Sequence, residues 1–457
     1  MFTSKFSLGL LSATLFSASV FSLPLYASES TDFDPMGKVA EFTSKISDAT
    51  NGRLNLSGYT NGHYMIHKGA PDFVGKTIDK PLFQIREASL FADVTVTDNV
   101  LFSTELEASY DFSSKNSSGR EDEFEAVFNY YYFDVDVASQ LDWDTDTYGG
   151  LSFRAGRVLV PFLSYNENKP NFKQSLMSQP FTAFNIVPVN NAPASFQQYG
   201  WTDTGASINW NKVIEDSGLL DVKFTVVNGL SSNVDVLDAN YAQLEAGPTV
   251  RPRDGLGSNK SAWDDLSDNN DELALALKVS FAPFSKPLDF GLSWYKGAWD
   301  NAGDDDLTMY GAHFNYLEKD WTVKGEYVKA DVEQTAGINV VPAAGPAGNI
   351  STGDYSMKSW YLEGSYTPYR YGVDKQRFVK LVARYDDVDT NDKATFNPFD
   401  RSRITLGTEW QFAKNMRLRY EAQKHKIDNF SAAPTAFVTS GGSEDVYMHM
   451  FGFIMSF

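Results

Sequence analysis

From Arg53 to the terminal Phe457 the chain repeats one pattern: stretches in which apolar and polar side chains alternate, separated by turn residues. Period-two alternation marks a β-strand that is wet on one face and apolar on the other. Sixteen such stretches can be marked, among them 82–96, 99–112, 123–138, 150–160, 376–388, 401–413, 415–428 and 444–457. Their connections alternate in length. Thr97-Asp98, Lys212 to Ser217, Phe284 to Lys286, Glu318-Lys319 and Lys414 are tight, whereas 67–81, 161–200, 230–270, 334–354 and 429–443 are long. Short turns at one end and long loops at the other are the asymmetry of a barrel that crosses an outer membrane. Such a barrel also meets the demand of lipid that no backbone group be left unpaired, because closure removes every strand edge. The fold expected is all-β, a 16-stranded antiparallel transmembrane β-barrel over 53–457. Two connections fit less well: 139–149 is long for a turn, and Asn301 to Asp305 is short for a loop.

Composition narrows the setting. Residues 1–27 read as a cleaved secretory signal, with Lys5 before an apolar stretch and a small-residue exit at Ala27. Removing them takes one of the 39 basic residues and none of the 59 acidic ones, leaving 38 against 59 and a formal charge of −21. Nucleic acid is not an expected partner for such a surface. The chain has no cysteine, so an exported fold must be stabilised without disulfides. Its 34 Phe and 23 Tyr suit strands and interfacial belts. Residues 28–52 precede the first strand and are expected on the periplasmic side, with Met36, Val39, Thr43 and Ile46 able to share one face of a short helix.

After the fifth strand the pattern stops for about forty residues. Residues 161–200 carry five prolines, yet Phe162, Phe172, Leu176, Met177 and Phe181 are too apolar for a solvated tract. The expectation is a constriction loop folded back against the inner wall of something hollow. At the other end of the chain, Tyr447, Phe451, Phe453, Met455 and Phe457 share one face of the last strand, the form of a C-terminal assembly signal for outer-membrane barrels.

Three stretches resemble Gram-negative porins, and most of all the phosphate-selective porin O and P group. They are FQIREASLFADVTVTDNVLFSTELEASYDF (83–112), RAGRVLVPF (154–162) and YGWTDTGASINW (199–210). The resemblance implies a homotrimeric 16-stranded channel with phosphate or polyphosphate as its transported class. The chain departs from that pattern in the loop, where 161–200 holds only the basic residues Lys169 and Lys173, with Glu167 beside them.

Alternation assigns the remaining charges to faces. On 376–388 Val379, Leu381, Ala383 and Tyr385 point out, which sends Lys380 and Arg384 in. The same reasoning sends Arg403 in from 401–413 and Arg417 and Arg419 in from 415–428, so five cations gather on one wall. The early strands carry the opposite sign, with Glu105, Glu107, Asp111 and Glu125 inward, interrupted by Arg86, Arg154 and Arg157. The alternation slips at Arg86-Glu87 and near Arg157, which predicts β-bulges. Two walls of unlike charge across a narrow gap would orient polar solutes.

The function expected is an outer-membrane channel for passive diffusion of small hydrophilic solutes and ions, with outer-membrane lipid around it. A substrate-specific channel for phosphate, dicarboxylates or sugars, lined by Tyr131, Tyr165, Tyr295 and Tyr361, is the alternative, and a non-channel surface or periplasmic β-sheet binding protein a second. No cofactor and no metal are expected: the five histidines are scattered, and His63 and His67 alone lack a ligand pattern. No serine stands in a nucleophile elbow and no glycine loop has phosphate-cradling form, so no enzyme is expected.

Overall fold

The computed structural model describes residues 37–68, 82–111, 123–168, 170–183, 201–230, 270–300, 302–333, 354–372, 375–389, 392–393, 401–427 and 444–457. Residues 1–27, expected as a signal, lie outside these. A helix, α1 (Gly37–Ala49), precedes sixteen strands. The first eight are β1 (Leu54–Lys68), β2 (Leu82–Thr97), β3 (Val100–Asp111), β4 (Glu123–Asp136), β5 (Gly150–Leu159), β6 (Thr202–Ile214), β7 (Gly218–Val227) and β8 (Ala274–Pro283). The second eight are β9 (Leu288–Ala298), β10 (Asp306–Leu317), β11 (Trp321–Val332), β12 (Tyr355–Tyr371), β13 (Arg377–Asp389), β14 (Arg401–Ala413), β15 (Met416–Ile427) and β16 (Glu444–Ser456). Each pairs antiparallel with its neighbours in sequence. The sheet closes where β1 meets β16, from Tyr59 against Ser456 to Lys68 against Tyr447. The fold is a closed 16-stranded antiparallel barrel, and no helix among the described residues is long and apolar enough to cross a membrane.

Alternation does the sorting. In β14 the side chains of Ile404, Leu406 and Trp410 are exposed while Arg403, Thr405, Glu409 and Gln411 between them are buried. The outer surface is accordingly apolar, with Phe128, Phe133, Leu292, Leu381, Leu406 and Phe451 among its exposed side chains. The long connection 139–149 has a local cause. It holds two short helices, α2 (Val137–Gln140) and α3 (Thr145–Tyr148), whose first turns are capped by Asp136 on the Ser139 amide and Asp144 on the Thr147 amide. It is a pair of capped helical turns rather than a hairpin.

The slip at Arg86 is a bulge: Asn61 faces Glu87 and Gly62 faces Ile85, so Arg86 has no opposite residue. Near Arg157 the expectation was misplaced by one strand. The pairings of β5 run without a shift, and the bulged residue is Asn129 of β4, skipped between the pairs Glu105 with Tyr130 and Leu106 with Phe128. Gly156 absorbs the distortion with φ of +135°, and a Cβ there would fall 2.4 Å from the Tyr131 carbonyl oxygen.

The interior is not uniformly polar. Towards the long-connection ends of β7 to β12, Val227, Ala276, Tyr295, Leu307, Met309, Val328, Ala330 and Met357 form a dry cluster. Val158, Val160, Phe162 and Leu163, from the end of β5 and the residues after it, pack into that cluster. Phe162 and Leu163 are fully buried, each contributing about 1.5–3 kcal/mol of attachment.

Gly156→Ala combines a disfavoured φ with a backbone collision, and strain of this kind costs about 1–3 kcal/mol. The folded, heat-resistant band on a denaturing gel should disappear at lower temperature in the variant; an unchanged transition would show that the wall accommodates a side chain there.

Candidate functional site

The five basic side chains expected on one wall are brought together, but around buried carboxylates. Asp386 accepts from Arg384 Nε and Arg403 Nε at 3.0 Å each. Glu409 takes Arg419 Nε at 2.6 Å and lies 3.4 Å from Lys380 Nζ and 3.7 Å from Arg417. Glu363 on β12 pairs with Arg384 at 3.4 Å and Lys324 at 3.2 Å.

The donors these pairs leave over go to the residues after β5. Arg384 donates to the Ser178 carbonyl at 2.9 Å and its hydroxyl at 2.8 Å, and Arg403 to the Gln179 carbonyl at 2.5 Å. Arg419 donates to the Gln174 and Leu176 carbonyls, Arg417 to the Phe172 carbonyl at 2.7 Å, and Lys380 to the Ser175 hydroxyl at 3.2 Å. Carboxylates of the strands collect the amides of the same stretch. Glu326 accepts from the Ser164 and Tyr165 amides at 2.8 and 2.7 Å and from the Thr182 hydroxyl at 2.9 Å. Glu421 accepts from the Met177 and Ser178 amides, Asp386 from the Phe181 amide, and the Ser293 hydroxyl from the Leu163 amide.

The cause lies in the sequence of the stretch itself. Pro161, Pro170 and Pro180 forbid a continuous ladder, and among its described residues only two 3-10 turns form, Asn166–Asn168 and Asn171–Lys173. Buried backbone groups with no ladder must find side-chain partners. Arginine forks supply donors and carboxylates supply acceptors, both of the strong charge-assisted kind.

Burial divides the cations by role. The side chains of Arg384, Arg403 and Arg419 are 1%, 4% and 1% exposed, whereas Lys324, Lys380 and Arg417 keep 16%, 20% and 27%. The three more open heads converge on adjacent residues, since Lys324 donates to Gln174 Oε1 at 2.9 Å beside the contacts of Lys380 to Ser175 and Arg417 to Phe172.

The other expected residues are not gathered with these. Glu105 and Glu107 are buried with Glu87, their carboxylate oxygens within 4.8 Å of one another, and Asn129 donates to both at 3.0 and 3.1 Å. Arg154 pairs with Asp134 at 2.5 Å and lies 4.0 Å over the Tyr132 ring. Arg157 is buried in the wall, with Nε donating to the Asn129 carbonyl and the Thr202 hydroxyl. Glu167 bridges Lys223 and Lys278, while Lys173 is exposed. Lys169 and the side chains of Arg86, Asp111 and Glu125 lie outside the described residues. Tyr165, Tyr295 and Tyr361 are buried, but Tyr131 is 44% exposed on the outer surface. The bulge at Asn129 advances the alternation by one, so Tyr130 and Tyr132 take the inner face and stack on each other at 5.5 Å.

Lys223, Lys278, Ser293, Lys324, Glu326 and Glu363 were not anticipated. On β11 the signal was present: Trp321, Val323 and Tyr327 alternate with Lys324 and Glu326. It was masked because the inner face continues as Val328, Ala330 and Val332 while the outer face continues as Lys329 and Asp331, so the polar residues change sides partway along the strand.

No family model and no curated protein sequence matches the chain. Solved structures do. The outer membrane channel DcaP of Acinetobacter baumannii is 13% identical, with 88% of this chain and 97% of that one covered at a TM-score of 0.50. OmpF of Salmonella typhi, in complex with daunomycin, is 8% identical over 88% and 97%, also at 0.50. The likeness is one of fold: a closed barrel of the kind outer-membrane porins have.

Two outcomes are expected from these contacts. Glu326→Ala leaves two buried amides without an acceptor, about 1–3 kcal/mol each, so chymotrypsin should cut the folded protein faster between Phe162 and Phe181; an unchanged rate would mean Glu326 holds nothing. Burial pushes the Glu167 carboxyl up, but Lys278 and Lys223 outweigh it and hold it at about 2. A depressed carboxylate stabilises fully above the ordinary glutamate value of about 4.3 and ceases to as pH falls through its own. The stability difference between wild type and Glu167→Gln should therefore be level above pH 4.3 and shrink towards pH 2; a difference that stays constant would exclude the ion pairs as its source.

Proposed function

We propose that the chain forms a water-filled channel in the outer membrane of a Gram-negative bacterium, through which small hydrophilic solutes and ions diffuse passively. One observation carries the reading. A closed cylinder with apolar side chains outside and ionisable ones inside has a surface suited to acyl chains and an interior suited to water. Barrels of sixteen strands enclose a wide bore, and the described part of the expected constriction loop, 161–168 and 170–183, narrows it; 169 and 184–200 lie outside the described residues. What supports that placement is reach: one stretch contacts Tyr59 on β1, Lys278 on β8, Glu326 on β11, Arg384 on β13 and Glu421 on β15. Only from within a closed cylinder can one short stretch meet strands so far apart. The chemistry required is positioning of charge without bond-making, so the reading is of a channel and not an enzyme. The resemblance to the phosphate-selective group adds a homotrimer.

A second reading, a channel specific for phosphate or other small anions, is favoured by the convergence of Lys324, Lys380 and Arg417, whose partly open heads present positive charge to the bore. Planar-bilayer recording separates the two. Block of the ion current by phosphate at low concentration selects the specific channel, while indifference to solute identity selects the general one.

Lys380→Glu with Arg417→Glu should move the zero-current potential in a salt gradient towards cation preference. Arg419→Glu, at a buried position bound to Gln174, should instead make the current unstable. An unmoved potential in the first variant would remove those two heads from the conducting path.

A further inference from the structure

Four of the ten methionines meet inside the barrel as a cluster separate from the large apolar one: Met65 on β1, Met448 and Met450 on β16, and Met177 from the stretch after β5. Each is at most 7% exposed. The register aligns them. Met65 stands directly opposite Met450, and His63 stands opposite Gly452. Gly452 is a notch for the fourth sulfur, since a Cβ at that position would lie 2.1 Å from Met177 Sδ. Three thioethers thus come from the wall and one from the stretch packed on it.

We propose that Met65, Met177, Met448 and Met450 form a binding site for a soft monovalent metal ion, Cu(I) or Ag(I). Thioethers are neutral, polarisable donors that suit Cu(I), whereas Zn(II) is bound by thiolate, imidazole and carboxylate and Mg(II) and Ca(II) by oxygen. In a chain without cysteine they are the soft donors it has. Glu421 supplies the charge for a monocation: it is the register partner of Met450, and its carboxylate accepts from the Met177 amide. Arg419, two residues before Glu421 on β15, is paired with Glu409. An ion held by all four sulfurs ties residues 174–179 to β1 and β16. The site stands independently of what the bore conducts.

Methionine also fills irregular space, and in that role leucine replaces it well. The test uses the folded full chain in detergent, labelled with methyl-13C methionine and titrated with silver nitrate in chloride-free buffer. Four methyl resonances should shift and saturate together, with Met309 and Met357 in the large apolar cluster unmoved. Met65→Leu/Met448→Leu/Met450→Leu should abolish saturable Ag(I) binding, and Met177→Leu should weaken it, with zinc inert throughout. Met177 lies off the strands, so its variant decides the matter if the triple one does not fold. No methyl shift at stoichiometric Ag(I), a shift in the triple variant equal to wild type, or binding that follows His63→Ala instead would overturn the site.

Discussion

An irregular stretch of backbone packed away from water must be given hydrogen-bond partners one by one. Residues 160–183 are such a stretch, and the barrel supplies them with a carboxylate or guanidinium at almost every turn: Glu326, Asp386 and Glu421 for the amides, Arg384, Arg403, Arg417 and Arg419 for the carbonyls. A net hydrogen bond to a charged group is worth about 1.5–3 kcal/mol, and an unmade one costs as much again, so the arrangement is held as a set. The apolar anchors Phe162 and Leu163 fix one end of the stretch, and Leu176 and Met177 fix the middle.

That demand changes what the inner charges are for. Facing charges across a bore create a transverse field, but a guanidinium buried against Asp386 and the Gln179 carbonyl has its hydrogen-bonding head turned away from solvent. Of the cations on β11 to β15, the work of holding falls to Arg384, Arg403 and Arg419. Lys324, Lys380 and Arg417 divide themselves between the stretch and open space. On the proposed channel reading, the second group is the one left to act on solutes, while the first holds the stretch in place.

The barrel was legible in the sequence because its signal is repeated sixteen times and is purely local: alternation of Ile404, Leu406 and Trp410 with Arg403, Glu409 and Gln411 needs no knowledge of a partner strand. The facing of Arg384, Arg403 and Arg419 followed for the same reason. Their partners did not. The bond of Arg384 to Ser178 joins residues 206 apart in the chain, and nothing local marks it. Local irregularity also misled. One extra residue at Asn129 turned Tyr131 outward and Tyr130 inward, which composition cannot distinguish. The apolar inner face of β7 to β12 hid Glu326 and Lys278 because a wet interior was the premise from which faces were assigned.

Amide hydrogen exchange on the folded protein tests the central claim most directly. The amides of Leu163, Ser164, Tyr165, Met177, Ser178 and Phe181, which belong to no strand or helix, should exchange as slowly as amides within the strands. Exchange of those six at the rate of a solvent-exposed loop would contradict the account, because it would mean that the side chains of the wall do not hold them.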